Sequence, residues 1–406
     1  MVGVNISGTH PERSLEGEPG RRRARTRVRN DGMLRASTVA CLAESGWDAF
    51  SARGVAERSG LSYGAVYTRF EHLDDLVAIV WSELLLPALR ASLEAAVGSV
   101  LEDPDEDRFV EAMEAFAHPS DELLAAMELI QAGMVDPRVA LFVRDDVREL
   151  FAGIVGVGPA RSPIEATAAA TCTFVAIGLL LLARRSWAAG VVLDGELRRY
   201  HRALVAPTEA IETPRDRVAE FLYLYRFDTE DERLERVLQA TAMSVGELGY
   251  HGTTIARICR IAGVSSGFVM GRFSSKAELF QRVTREMWGR GMAAIGEFIA
   301  GCAEEVGPAL AEALAWREYQ SPAITKMVVL ANETGRLAGF DPAVAEYVEA
   351  HEREVFTRLS GVGITPFLLS EYALGNGLPL VSYFVPDVRD LPYACVTETL
   401  VTSAPH

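Results

Sequence analysis

Two twenty-residue stretches set the same side chains at the same spacing: SARGVAERSGLSYGAVYTRF at 51–70 and TIARICRIAGVSSGFVMGRF at 254–273. Without a gap, Ser62, Tyr63, Ala65, Tyr67, Thr68 and Arg69 correspond to Ser265, Ser266, Phe268, Met270, Gly271 and Arg272. Hydroxyls donate and accept hydrogen bonds, and a guanidinium is a planar cation suited to phosphate or carboxylate oxygens. Such a set performs non-covalent recognition of a polar surface. Catalysis is the weakest reading. The chain has no G-x-S-x-G, no H-E-x-x-H, no phosphate-cradling glycine loop and no dinucleotide fingerprint.

The elements that must hold these groups are short helices. Gly60 and Gly263 fall where a tight turn requires positive φ. Ala56 and Cys259, four residues earlier, are small enough for two helices to approach. Val55/Ile258 and Val66/Val269 close a miniature core. Ser62 and Ser265 can cap the second helix, and Ser51 and Thr254 the first. A preceding helix is predicted in both places. Leu34, Ala36, Val39, Ala40 and Ala43 share one face, as do Val237, Ala240, Thr241, Ala242 and Val245, with Gly46 and Gly249 as stops. A single such hairpin has no necessary function. Two at identical spacing point to a duplicated helix-turn-helix.

The duplication runs further. DPRVALFV (136–143) returns as DPAVAEYV (341–348), Glu128 as Glu333, and GLLLL from Gly178 more weakly as GLPLV from Gly377. Ordered pairs at nearly constant offset define two homologous units, and no sustained period-two pattern appears. An all-α chain of two tandem units is predicted, each a three-helix head followed by a helical bundle. The boundaries expected are a basic disordered arm at 1–27, heads at 28–76 and 229–279, bundles at 77–206 and 280–402, and a connector at 207–228. FLYLYRF (221–227) in that connector is apolar enough to dock on a unit.

The net charge of −16 argues against a general nucleic-acid binder, but its distribution is uneven. Arg21–Arg29 holds six arginines, and 232–285 holds eight basic residues against four Glu, whereas 31–80 holds four Arg against seven acids. Five dispersed cysteines without a C-x-x-C pair fit a reducing cytosol, with neither a disulfide framework nor a zinc site. The N-terminus has no apolar core of a signal peptide. The apolar run Thr167–Ala183 is short for a membrane span and rich in Ala and Thr, so a buried helix is expected there and no membrane partner.

The heads resemble the tetracycline-repressor (TetR) family of transcriptional regulators. Gly46-Trp47 and Gly249-Tyr250, the capping Ser51 and Thr253-Thr254, GLSYGAVYTRF and GVSSGFVMGRF, and Leu76 and Leu279 follow the family's N-terminal pattern. Each head departs once: Leu73 stands where the family has lysine, and Met270 where it has tyrosine. The resemblance implies a cytoplasmic, non-enzymatic regulator, usually a repressor, that binds operator DNA without a cofactor. DNA-binding candidates are Ser51, Ser62, Tyr63, Ala65, Tyr67, Thr68 and Arg69 in head one, and Thr254, Ser265, Ser266, Phe268, Gly271, Arg272 and Lys276 in head two. The arm either enters DNA or is a solvated tail. A head that has lost DNA contact, leaving a ligand-binding or protein-interaction module, is the rival reading.

Family subunits pair through their last two helices, which predicts pairing between about 164–185 with 191–205 and about 366–385 with 388–401. One chain would then hold both heads, with further homodimerisation open. The family also implies a pocket for a hydrophobic effector, with few charges inside. Candidate linings are Trp81, Met113, Phe116, Met127, Met134 and Phe174 in the first unit, and Trp288, Trp316, Tyr319 and Phe340 in the second.

Overall fold

A computed structural model describes residues 19–158, 160–188, 190–209, 226–321 and 325–404. Among the described residues there are helices and no strands, nine principal helices in each half. The first half holds α1 (Pro19–Ala49), α2 (Ala52–Ser59), α3 (Tyr63–Tyr67), α4 (Leu73–Leu101), α5 (Glu106–Ala117), α6 (Asp121–Ala132), α7 (Pro137–Val155), α8 (Pro163–Leu182) and α9 (Asp194–Val205). The second holds α10 (Glu232–Gly252), α11 (Ile255–Ala262), α12 (Ser266–Met270), α13 (Lys276–Val306), α14 (Pro308–Tyr319), α15 (Thr325–Ala338), α16 (Pro342–Ser360), α17 (Pro366–Phe384) and α18 (Ala394–Thr402).

Several sequence repeats have local physical causes. In both DP motifs the aspartate is an N-cap and the proline opens the helix. Asp136 accepts from Arg138 N, and Asp341 from Ala343 N and Val344 N. Gly60 and Gly263 lie at φ +68° and +65°, and their N–H groups close the ends of α2 and α11. Gly46 and Gly249 kink their helices rather than end them: at φ +72° and +68°, each is followed by one more short turn. The buried stripe of α1 also differs from expectation. Leu34, Thr38 and Leu42 line it with Val39 and Ala43, while Ala36 is exposed.

The basic arm needs correction as well. Residues 1–18 lie outside the described residues, but from Pro19 the backbone is helical and continues as α1. Arginine and alanine are good helix formers, and an existing helix extends without a new nucleus. In the connector, Thr208 N donates to Cys395 O at 2.9 Å, and Phe227 is buried against the second head; residues 210–225 lie outside the described residues.

The late helices α8 and α17 make the closest crossing. A Cβ on Gly178 would lie 1.7 Å from the Ala373 carbonyl oxygen, and one on Gly377 1.9 Å from that of Phe174. These glycines are the weakest repeat in the sequence, and they are where two backbones touch. Both α4 and α8 are long and apolar enough to cross a membrane, but 83% of the α8 window is buried inside the protein. The five cysteines are free thiols.

Candidate nucleic-acid interface and cavity

Each recognition helix is a single capped turn and a half. Ser62 and Ser265 accept from Ala65 N and Phe268 N at 3.2 and 3.3 Å. Ser51 and Thr254 accept from Gly54 N and Arg257 N, both at 3.2 Å. Val66 and Val269 anchor the inner face, leaving the opposite face to solvent.

The two outer faces differ. In head one, Tyr63 and Tyr67 are 57% and 45% exposed and tilt against each other, with centroids 5.0 Å apart. Ser62 and Thr68 are exposed beside them, while Ala65 is half-buried. Arg69 donates to Asp31 at 2.7 Å and to Ala65 O at 2.8 Å. In head two, Phe268 is not a free apolar reader. It is half-buried between the guanidinium groups of Arg233 and Arg272, 4.1 and 3.8 Å from its ring centroid. Arg272 also meets Asp231 at 2.9 Å. Ser265, Ser266 and Gly271 remain exposed.

Lys276 does structural work in its own head. Its ammonium donates to the carbonyls of Tyr250 and Thr253 at 2.7 and 3.0 Å and lies 4.0 Å from the Tyr250 ring centroid. Those carbonyls end α10, where a cation is favoured. Burial lowers the Lys276 pKa below the usual lysine range.

Surface charge separates the heads further. Head one pairs Arg35 with Glu83, Arg53 with Glu57, Arg58 with Glu44 and Arg69 with Asp31. In head two, Arg260 is exposed and has no partner among the described residues, and Arg233 stacks on a ring instead of meeting an acid.

Behind the heads, one arginine joins the two halves. Glu128 accepts Trp47 N at 2.7 Å, and Glu333 accepts Tyr250 N at 2.6 Å, so each glutamate holds the residue after its head's kink glycine. Arg336 donates to Glu128 at 2.8 Å, to Glu333 at 2.9 Å and to Asp48 at 2.6 Å. It is 4% exposed, and the two glutamates are as deeply buried. Burial raises the Glu128 pKa against the opposing pull of Arg336. Nearby, Phe340 abuts Gly46, and Val135 at the matching place abuts Gly249. The recurrence of Glu128 and Glu333 signals this cluster in the sequence. Arg336 itself has no repeat to mark it, since Gln131 stands at the matching offset.

A cavity of about 280 Å³ opens in the second half, between α13, α14, α15, α16 and α17, and reaches Gln131 and Arg185 of the first. That is far above the ~10–15 Å³ that holds one water. Trp288, Trp316 and Tyr319 line it; Phe340 does not, being held at the head joint under Arg184. The first-half candidates are not on this wall. Trp81, Met113, Phe116, Met127, Met134 and Phe174 are buried core side chains, and Trp81 donates its indole N–H to Asp146 at 2.9 Å. None of them borders the second cavity either, about 210 Å³ near His118 and Leu193. The expectation of few charges fails: Glu312, Glu352, Glu371 and Arg185 line the main cavity.

Two helix-turn-helix heads carried on helical bundles define a DNA-binding class of protein. The family of bacterial regulatory proteins described as the tetR family matches residues 34–79 and again 237–283. The chain thus carries the DNA-binding domain of the tetR family twice, one helix-turn-helix head in each half. No curated protein matches it.

Proposed function

We propose that this chain is a ligand-responsive repressor that supplies both heads of one operator complex by itself. The observation carrying this reading is the α8–α17 crossing, where Gly178 and Gly377 bring late helices of the two halves into backbone contact. Family pairing through late helices makes that contact the place to look for an internal substitute for a second subunit. The unlike recognition faces favour an inverted operator with two unlike half-sites about one helical turn apart. The cavity behind head two is the effector site, and its occupation lowers DNA affinity through linkage.

Footprinting on DNA flanking its own gene, followed by titration with the purified chain, tests the reading. One chain per operator and two unequal protected half-sites are expected. Two chains per operator, or symmetric half-sites, would overturn it.

A further inference from the structure

Among the described residues, one carboxylate of the main cavity has no counter-ion. Glu352 meets Arg185 at 3.3 Å and accepts from Trp187 and Tyr372. Glu371 meets Arg199 and the Tyr200 hydroxyl, both at 2.8 Å. Glu312, on α14, accepts only the Trp316 indole N–H, at 2.8 Å, and faces no cation among the described residues. Its surroundings are aromatic: Trp288, Trp316, Tyr319 and Tyr372 border the same space. His351 stacks on Trp288 with ring centroids 5.9 Å apart, and burial lowers its pKa, so it supplies no compensating charge at neutral pH.

A lone carboxylate in an apolar wall costs free energy unless something of opposite charge joins it. Aromatic faces attract cations as well, most strongly when water is excluded. We infer that the cavity of the second half binds a lipophilic organic monocation, with Glu312 as its counter-ion and the neighbouring aromatic rings around its apolar groups. The inference rests on the reading of this cavity as the effector site and names the ligand's class. Among the described residues the first half has no buried counterpart: Phe109, Met113 and Phe116 belong to the continuous core, and Glu114, the carboxylate bordering its own cavity, is exposed. One cation per chain follows.

The test uses the full chain and two probes of nearly equal shape. Benzyltrimethylammonium carries a permanent positive charge, and neopentylbenzene replaces its nitrogen with carbon. Calorimetric titration should show the cation binding at least tenfold more tightly, with one site per chain. Glu312→Gln keeps the size and an acceptor for Trp316, and should remove most of that preference while changing neopentylbenzene affinity less than threefold. Glu312→Asp keeps the charge and should keep the preference. Equal binding of the two probes, no binding of either, or an undiminished preference in Glu312→Gln would overturn the inference. DNA release, measured in parallel on the footprinted operator, separates the two readings. A neutral probe that binds as tightly as the cation and releases DNA sinks the cation class and leaves the effector reading standing. A cation that binds without releasing DNA does the reverse.

Discussion

Helices α5 and α14 occupy the same position in their halves but hold opposite contents. On α5, Phe109, Met113 and Phe116 are buried in continuous core. On α14, Glu312, Trp316 and Tyr319 border open volume. The heads differ too: head one sets Arg53, Arg58 and Arg69 against Glu57, Glu44 and Asp31, while head two pairs Arg257 and Arg272 with Glu247 and Asp231, leaves Arg260 without a partner among the described residues and wraps Phe268 in two guanidinium groups. A homodimer must place each sequence in both environments. Two fused units escape that constraint, so one bundle can be packed for stability while the other keeps a charged void.

The joint between the halves should give the largest effect. Arg336→Met leaves Glu128 and Glu333 buried without their cation, and should cost ~3–5 kcal/mol in chemical denaturation at neutral pH. The sign of the pH dependence follows from Glu128, whose folded pKa is already raised by burial and rises further without Arg336. A carboxyl with a raised folded pKa loses stability as pH increases, so the deficit of this variant should shrink towards pH 5. Adding Glu128→Gln and Glu333→Gln should recover most of the loss. A mild single variant would show that the halves are held elsewhere.

Next is the crossing. Gly377→Leu drives a side chain into the Phe174 carbonyl and should cost ~3 kcal/mol or more. Gly153, on α7 with open space around it, is the contrast: Gly153→Ala should stabilise by ~0.5–1 kcal/mol through helix propensity. Equal effects at the two sites would contradict the close approach.

The cavity comes third. Burial, with Glu371 nearby, pushes the Glu312 carboxyl up to about 7. The folded chain therefore holds a proton that the unfolded chain releases near pH 4.5, and this contribution to stability is lost as pH rises towards and past 7. Glu312→Gln should match the parent near pH 5 and exceed it by ~2–3 kcal/mol near pH 8. A constant difference across that range would remove Glu312 from the cavity's electrostatics.

The smallest effect compares the heads. Arg260→Ala should reduce the salt slope of DNA binding by ~1, as expected for one lost phosphate contact. Arg58→Ala, whose charge Glu44 already balances, should change it by less. The reverse order would make head one the electrostatic anchor.

The fold class and the heads were legible because their signals are local. Turn glycines, caps and the DP helix starts act within a few residues of themselves, so the duplication printed them twice. Of the candidates placed on the outer face by spacing, Ser62, Tyr63, Thr68, Ser265, Ser266 and Gly271 are exposed, but Ala65 and Phe268 are half-buried, Phe268 because Arg233 comes from a separate helix that folds back over its ring. The aromatic pocket candidates were divided by the same limit. Helical spacing shows that Met113 and Trp316 face inward, but whether inward means core or cavity depends on which neighbours fill the space.

Sequence alone therefore determined two tandem helical units, the position of each head and the unequal distribution of charge. All of these follow from periodicity, capping chemistry and counting. Only the tertiary structure decided that Arg336 joins both head glutamates, that Gly178 and Gly377 meet, and that Glu312 stands in a cavity with no counter-ion among the described residues. Those facts depend on contacts between residues up to 208 positions apart. The energy of a buried charge or a touching backbone is set by what lies across the interface, which no local pattern in the chain records.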